Sequence, residues 1–191
     1  GPSMSRPIHK AHSRFNISSH VSSIYNRIAI DVSMTNFKHV KINPENEDMV
    51  DMKTGLNECL KTEANIDQTH IQFFQDLVYS MFHEGVVAVV PVDTTLSPKT
   101  TDGYDINSLR VGRIVNWFPK HVLVDVYNEE TGKNEQVHLE KKFVAIIENP
   151  LYSVINDENS TLKRLVSKMN QLDDVDRTTA SGRLDLLLST T

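Results

Sequence analysis

The middle of the chain constrains the fold most, because a complete amphipathic helix runs directly into a buried strand. Thr69, followed by Gln72 three residues later, is a capping box that predicts the first turn of a helix. The broad apolar stripe that follows consists of Phe73, Phe74, Leu77, Val78, Met81 and Phe82. Gly85 is typical of a helix end. The run VVAVVPV at 86–92 predicts a strand buried on both faces or nearly so, with Pro91 towards an edge.

Apolar periodicity along the rest of the chain predicts an α+β domain. Further helices are indicated by apolar residues at three- and four-residue steps, at about 19–32, 52–62 and 160–172. Strands are indicated by alternating or continuous apolar runs, at 37–42, 109–117, 121–127, 135–139, 143–148 and 183–188. EETGK at 129–133 predicts a hairpin, and 143–148 is expected to complete a meander. The predicted architecture is a mixed sheet covered by three or four helices.

Composition narrows the class of protein. The 191 residues fit one domain, since a globular domain usually holds about 100 to 200 residues. The formal charge of −5 argues against a protein that wraps or reads DNA, because phosphate binding depends on Lys and Arg. Cys59 is the only cysteine, which excludes an internal disulfide and a thiolate metal site. No run is long enough for a membrane helix, so we expect a soluble protein.

The two ends of the chain are expected to differ in order. Residues 1–16 have no periodicity and are predicted to form a flexible arm, whose first three residues resemble the remnant of a cleaved expression tag. Residues 17–191 are predicted to form the folded domain. The start also lacks the apolar core of a signal peptide.

The sequence offers no catalytic, cofactor-binding or metal site. His9 and His12 are three residues apart but lack further ligands, and zinc needs three or four convergent ones. The acidic cluster at 173–176 is expected to be a solvated face. There is no G-x-S-x-G elbow and no phosphate-binding loop, and Cys59 is expected to be an inert thiol. We therefore predict a protein that is not an enzyme and needs no cofactor.

The neighbouring aromatic residues Trp117 and Phe118 leave two interpretations open. They can stack on a base or anchor a partner, since aromatic side chains supply large contact areas. The interpretation favoured from the sequence is that they complete the core at the end of a strand.

Two long strings carry a resemblance to a known family. SSIYNRIAIDV, at 22–32, lies near the start, and a second stretch, ENPLYSVINDENSTLKRLVSKMNQLDDVDRTTASGRLDLLL, fills 148–188. Both resemble the portal proteins of tailed phages, the head-tail connectors of phages whose DNA is packaged by a terminase. Between them, IQFFQDLVYSMFHEGVVAVVPV at 71–92 is similar to the helix and strand that follow the first wing helix of this family. The resemblance covers about 17–188.

The resemblance implies a structural part of the virion. Family portals form a ring, usually of twelve copies, at one vertex of the capsid, in contact with other portal subunits, capsid and scaffold proteins, terminase and the tail adaptor. Double-stranded DNA enters and leaves through the ring without sequence-specific binding, and the ATPase lies in another protein. The implied location is the virion portal vertex, and the host cytoplasm during assembly.

The chain ends about where the long stem helix, clip and crown of the family would begin, so we expect a portal wing domain truncated before the stem. Wing surfaces face scaffold, capsid or neighbouring subunits, and four residues are candidate interface charges: Arg27, Asp31, Arg164 and Lys168. Ordinary solvated helix charges are the alternative for all four. An alternative function is a prophage-derived portal remnant that binds phage assembly proteins and interferes with them. An enzyme ranks third, because no motif supports it.

Overall fold

The computed structural model describes residues 19–101, 103–151, 167–169, 171–172 and 174–175. Its helices are α1 (Ser19–Ser33), α2 (Gly55–Lys61) and α3 (His70–Glu84), with a 3₁₀ turn at Lys141–Phe143 and helical residues within 167–175. Its strands are β1 (Val40–Ile42), β2 (Met49–Asp51), β3 (Glu63–Asn65), β4 (Gln68–Thr69), β5 (Val86–Thr94), β6 (Ile106–Trp117), β7 (His121–Asn128), β8 (Lys133–Glu140) and β9 (Ala145–Glu148). The predicted α+β class is confirmed. The expected arm at 1–16 and strand at 183–188 lie outside the described residues.

One five-stranded sheet, in the order β8-β7-β6-β5-β9, dominates the fold. Strands β1 and β2 form a separate hairpin, as do β3 and β4. Every described pair is antiparallel, whereas a mixed sheet was expected. The physical reason is that the connections between sheet neighbours are mostly short, and parallel pairing needs a crossover of about a dozen residues or more.

Helix α3 begins and ends as the sequence predicts. The Thr69 hydroxyl accepts a hydrogen bond from the Gln72 amide, the Gln72 side chain accepts one from the Thr69 amide, and Gly85 ends the helix at φ 82°. One side of α3 meets α1, where Tyr25 stacks on Phe82 with ring centroids 5.0 Å apart. The apolar sides of α1 and α3 thus pack against each other in one helical layer.

Strand β5 is buried on both faces, as predicted. Val87 faces the helices, in a core cluster with Phe73 and Phe74 of α3. Ala88 and Val90 face the other side of the sheet, where they join a second cluster. Both clusters are apolar, which explains why the sequence of β5 is a continuous run of apolar residues and not an alternation of apolar and polar ones.

The position of β9 corrects the expected meander. β9 pairs with β5 at one edge of the sheet, although β8, which precedes it in the chain, lies at the other edge. Only residues 141–144 connect the two strands, and three of them form the 3₁₀ turn. Such a link reaches roughly 13 Å, whereas the outer strands of a flat five-stranded sheet would lie about 19 Å apart. The sheet must therefore curl on itself.

The second core cluster fills the concave side of this curled sheet. It contains side chains from all five strands together with the residue before β9, namely Ala88, Val90, Val122, Val124 and Val126, with Ile114, Leu139, Val144 and Ile146 packed against them. Gly112 in β6 lies opposite Ala88 and has no side chain on this crowded face. A Cβ atom at Gly112 would collide with Val124 of β7. The small residue therefore lets β7 fold closely over β6.

Substitution of Gly112 by Ala should destabilise the fold, because the added methyl group must displace β7 from β6. We expect the free energy of unfolding to fall by about 1–3 kcal/mol, the usual cost of overpacking a core. Urea unfolding followed by circular dichroism measures it. Gly103→Ala is the matched control, since a Cβ there meets only one side-chain oxygen at 3.9 Å. Equal unfolding midpoints for the two variants would contradict the packing argument.

The loop after β5 supplies a cap for α2. Asp105 accepts hydrogen bonds from the backbone amides of Gly55, at 2.5 Å, and Leu56, at 3.3 Å. These bonds to the charged carboxylate lower the pKa of Asp105, the one from Gly55 most. The carboxylate also suits the positive end of a helix. Asp105 thus ties the start of α2 to the start of β6.

The Asp105 cap should make stability depend on pH. Because its pKa is lower in the folded than in the unfolded chain, its contribution is present above the ordinary Asp pKa of about 3.9 and is lost as the pH falls through the folded value. Asp105→Asn should be less stable than the parent at pH 7, and the difference should shrink as the pH falls below about 4. Urea unfolding of both proteins across this range tests it. A difference that stays constant with pH would rule out the charged cap.

Candidate interaction surfaces

The described residues bring no obvious reaction chemistry together. The described part of the chain contains no group of three or more His, Cys, Asp or Glu side chains placed to hold a metal ion. His9 and His12 lie outside it, as do Asp173 and Asp176. None of the described helices is long and apolar enough to span a membrane.

Cys59 is buried in the first core cluster, together with Phe73 and Phe74 of α3 and Val87 of β5. Burial raises the pKa of its thiol to about 11, with a further contribution from the negative charge of Asp105. The thiol is therefore protonated at neutral pH, and the thiolate is the form that acts as nucleophile or metal ligand.

The four candidate interface charges are not gathered into one site among the described residues. Arg27 and Asp31 contact each other one turn apart on α1, with Nε and Oδ2 separated by 3.2 Å and both side chains largely exposed. Lys168 is exposed, and Arg164 lies outside the described residues. An exposed pair of this kind contributes little stability. Its role at an interface stays a prediction.

A buried arginine forms a charge network that sequence analysis missed. Arg110 in β6 has only 6% of its side chain exposed, and its guanidinium contacts Asp67 and Glu129 at 2.5 and 2.7 Å. It also lies over the Tyr127 ring, 4.7 Å from the centroid. Asp67 lies in the β3–β4 turn and Glu129 in the β7–β8 turn. The network therefore fixes two turns to the middle strand. The available signal was an arginine between two apolar residues, Leu109 and Val111, in a predicted strand.

Replacement of Arg110 by Ala should destabilise the fold strongly, because it leaves two partly buried carboxylates without their counterion. We expect a loss of roughly 3 kcal/mol, as when one partner of a buried pair is removed. The control is Arg113→Ala on the same strand, whose contact with Asp125 is 3.4 Å long and whose side chain is 43% exposed. That change should cost less than about 1 kcal/mol. Equal losses in chemical unfolding would show that the network adds nothing.

The aromatic end lies at the β6–β7 turn and the neighbouring 3₁₀ turn. We define it by five residues, Trp117, Phe118, Lys120, Lys141 and Lys142. Trp117 is 46% and Phe118 37% exposed, so the interpretation that they complete the core is wrong. Trp117 pairs with Val122 of the second core cluster, so it borders the core at the end of the strand without being enclosed by it.

Several contacts hold the aromatic end in one arrangement. The Nζ of Lys141 lies 5.4 Å from the centre of the Trp117 ring and donates a hydrogen bond to the Pro119 carbonyl at 3.3 Å. The Lys141 backbone amide donates to the Lys120 carbonyl at 3.0 Å. The 3₁₀ turn is thereby fastened to the β6–β7 turn. The result is a pre-formed surface that combines exposed rings with ammonium groups.

The concave pocket is lined by residues of α2, the β3–β4 hairpin and strands β5 to β8. Its volume is about 750 Å³. Its apolar floor is formed by strand residues of the concave face, Val90, Val126, Val137 and Leu139. Its rim carries acidic residues, Glu58, Glu63, Asp93 and Glu130. A site of this kind can receive an apolar group that carries positive charge nearby.

The β1–β2 hairpin is the third surface. Ile42, Met49 and Val50 are 55%, 70% and 62% exposed. A group of large apolar residues that stays exposed to solvent often marks a surface where a protein meets a partner. The hairpin has only two strands of three residues each, and a lone hairpin of this size is marginal in water. Its composition is therefore that of a contact element.

Compared with known proteins, the chain matches no protein-family model and no curated protein. The similarity of 22–32 and 148–188 to portal proteins stays a prediction from the sequence. The described geometry defines the class of the protein as an α+β domain.

Proposed function

We propose that this chain is the wing part of a tailed-phage portal ring and acts as a structural component. The observation that carries the proposal is the exposed apolar β1–β2 hairpin, which suits a subunit whose surface is completed by assembly. The sequence resemblance to portal proteins supplies the particular assembly.

Two of the strings similar to portal proteins, 22–32 and 71–92, fall on elements that pack together, whereas most of 148–188 lies outside the described residues. The first string lies on α1, and the string at 71–92 lies on α3 and β5. Tyr25 of α1 contacts Phe82 of α3, and Phe73 of α3 packs in one cluster with Val87 of β5. These two strings thus belong to one packed body, which supports their origin in a single domain.

The role of such a domain is geometric. Repeated copies surround a channel through which DNA is pumped by a terminase and later released. A net charge of −5 favours passage of a polyanion without tight binding, because few cations are available to neutralise phosphates. Partners of the wing would be neighbouring portal subunits, capsid and scaffold. Arg27, Asp31, Arg164 and Lys168 remain candidate contacts, and no catalytic residue, metal or cofactor is part of the proposal.

The proposal predicts a defect in genome packaging. In a phage or prophage that encodes this chain, deletion of its coding sequence should give heads without DNA, and the intact gene supplied in trans should restore filled heads. Quantitative PCR of nuclease-protected phage DNA and electron microscopy of the particles measure this. Filled, infectious particles in the absence of the gene would overturn the portal function.

The same assay tests the hairpin. Met49→Asp combined with Val50→Asp should reduce filled heads by about tenfold or more, since charges are strongly disfavoured in an apolar contact. Leu96→Asp is the matched control, because Leu96 is 55% exposed in the loop between β5 and β6. All proteins should show the same melting temperature within the error of the measurement. Normal packaging by the folded double variant would exclude the hairpin from the assembly contact.

A further inference from the structure

We infer that the aromatic end is a binding site for an unpaired DNA strand, whose bases stack on Trp117 and Phe118 and whose phosphates meet the neighbouring lysines. The site goes beyond the proposed function, because its contacts involve this domain alone. Only the choice of DNA over RNA rests on the proposed function, which brings DNA to this protein.

The two rings are presented to solvent in a fixed arrangement. Trp117 is 46% and Phe118 37% exposed. The Phe118 amide donates a hydrogen bond to the His121 carbonyl at 2.9 Å, and its ring centroid lies 5.4 Å from that of His138. The ammonium group of Lys141 lies over the Trp117 ring. Because this turn is already ordered, a base that stacks here loses little binding energy to the ordering of the protein.

Positive charge surrounds the rings, although the whole chain carries a formal charge of −5. Lys120 and Lys142 are exposed. Lys142 forms an ion pair with Glu140 at 3.3 Å, whereas Lys120 and Lys141 contact no carboxylate among the described residues. Three lysines beside one glutamate leave an excess of positive charge, which suits phosphate groups.

Glu130, on the acidic rim of the concave pocket, is too distant to cancel this charge. It follows the end of β7 at Asn128, whereas Lys120 precedes the start of β7 at His121. The eight residues of β7 span roughly 26 Å. At physiological ionic strength, exposed charges more than about 8 Å apart are largely screened from each other. The lysines of the aromatic end therefore act locally.

The combination of exposed rings and lysines favours an unpaired strand over a duplex. In a duplex the faces of the bases are hidden inside the stack, so a ring on a protein surface meets only the backbone and the groove edges. An unpaired strand offers base faces and phosphates together, and stacking tolerates any base. A duplex would use the lysines and leave Trp117 and Phe118 in water.

Fluorescence anisotropy of a labelled oligothymidylate of about 12 nucleotides measures the binding. We expect a Kd of roughly 10–100 µM at low salt, and a slope of log K against log salt concentration of about −2, as for three phosphate contacts on a single strand. A duplex of the same length should bind about tenfold more weakly, because its bases cannot stack on the rings. Trp117 is the only tryptophan of the chain, so unlabelled oligonucleotide should quench its fluorescence over the same concentration range.

Two kinds of variant separate stacking from charge. Trp117→Ala should weaken binding about tenfold and leave the salt slope unchanged, whereas Trp117→Phe should retain most of the affinity. Lys120→Gln with Lys142→Gln should also weaken binding, and it should reduce the magnitude of the salt slope by about 1.4, since two phosphate contacts are lost.

Matched controls come from exposed residues elsewhere in the fold. Leu96→Ala removes a large apolar side chain that is 55% exposed, and Lys53→Gln with Lys99→Gln removes two exposed lysines. None of these changes should alter the affinity or the salt slope. Circular dichroism of every variant confirms that it is folded.

Four outcomes would overturn the inference. They are a parent chain that does not bind the oligothymidylate at low salt, a duplex that binds as tightly, a Trp117→Ala variant that binds like the parent, and an oligouridylate that binds tenfold more tightly than the DNA. A Trp117 signal that responds to anionic phospholipid vesicles or to protein concentration, but not to the oligonucleotide, would likewise overturn it and assign the aromatic end to a membrane or to another protein.

The packaging assay is independent of these measurements. A packaging defect on gene deletion beside failed oligonucleotide binding would retain the portal function and discard this site. Oligonucleotide binding with filled, infectious particles in the absence of the gene would retain the site and discard the portal function.

Discussion

The short link between β8 and β9 is the constraint on which the rest of the structure depends. Because residues 141–144 cannot cross a flat five-stranded sheet, β9 reaches β5 only if the sheet curls. The curl buries the second core cluster, opens the concave pocket and brings Lys141 onto the β6–β7 turn. The second core cluster and the concave pocket are therefore consequences of one connection.

Local signals predicted the elements well. The α3 helix was correct in its capping box, its apolar stripe and its terminal glycine, because each depends on neighbours in sequence. The sheet order and its curl were missed, since the pairing of β9 with β5 depends on residues about 60 positions apart. Likewise, the alternation in 37–42 predicted a strand, but it gave no sign that β2 is its partner or that both are exposed.

Sites that arise from tertiary contacts were the hardest to predict. Arg110 meets Asp67 and Glu129 only because two distant turns converge on β6, so sequence spacing gave no warning of the network. The exposed position of Trp117 is similar, because aromatic residues at a strand end are as compatible with a core as with a surface. In contrast, the interpretation of Cys59 as a buried or inert thiol followed from its place in a weakly predicted helix without a recognisable His partner, and it agrees with its burial.

The burial of Cys59 has a practical consequence for chemistry on this protein. A thiol with a pKa of about 11 and no exposed surface reacts slowly with maleimides and other alkylating reagents near neutral pH. It is also the only cysteine in the chain. A cysteine introduced on the β1–β2 hairpin or near the concave pocket can therefore carry a spin label or fluorophore selectively, with the native residue left in place.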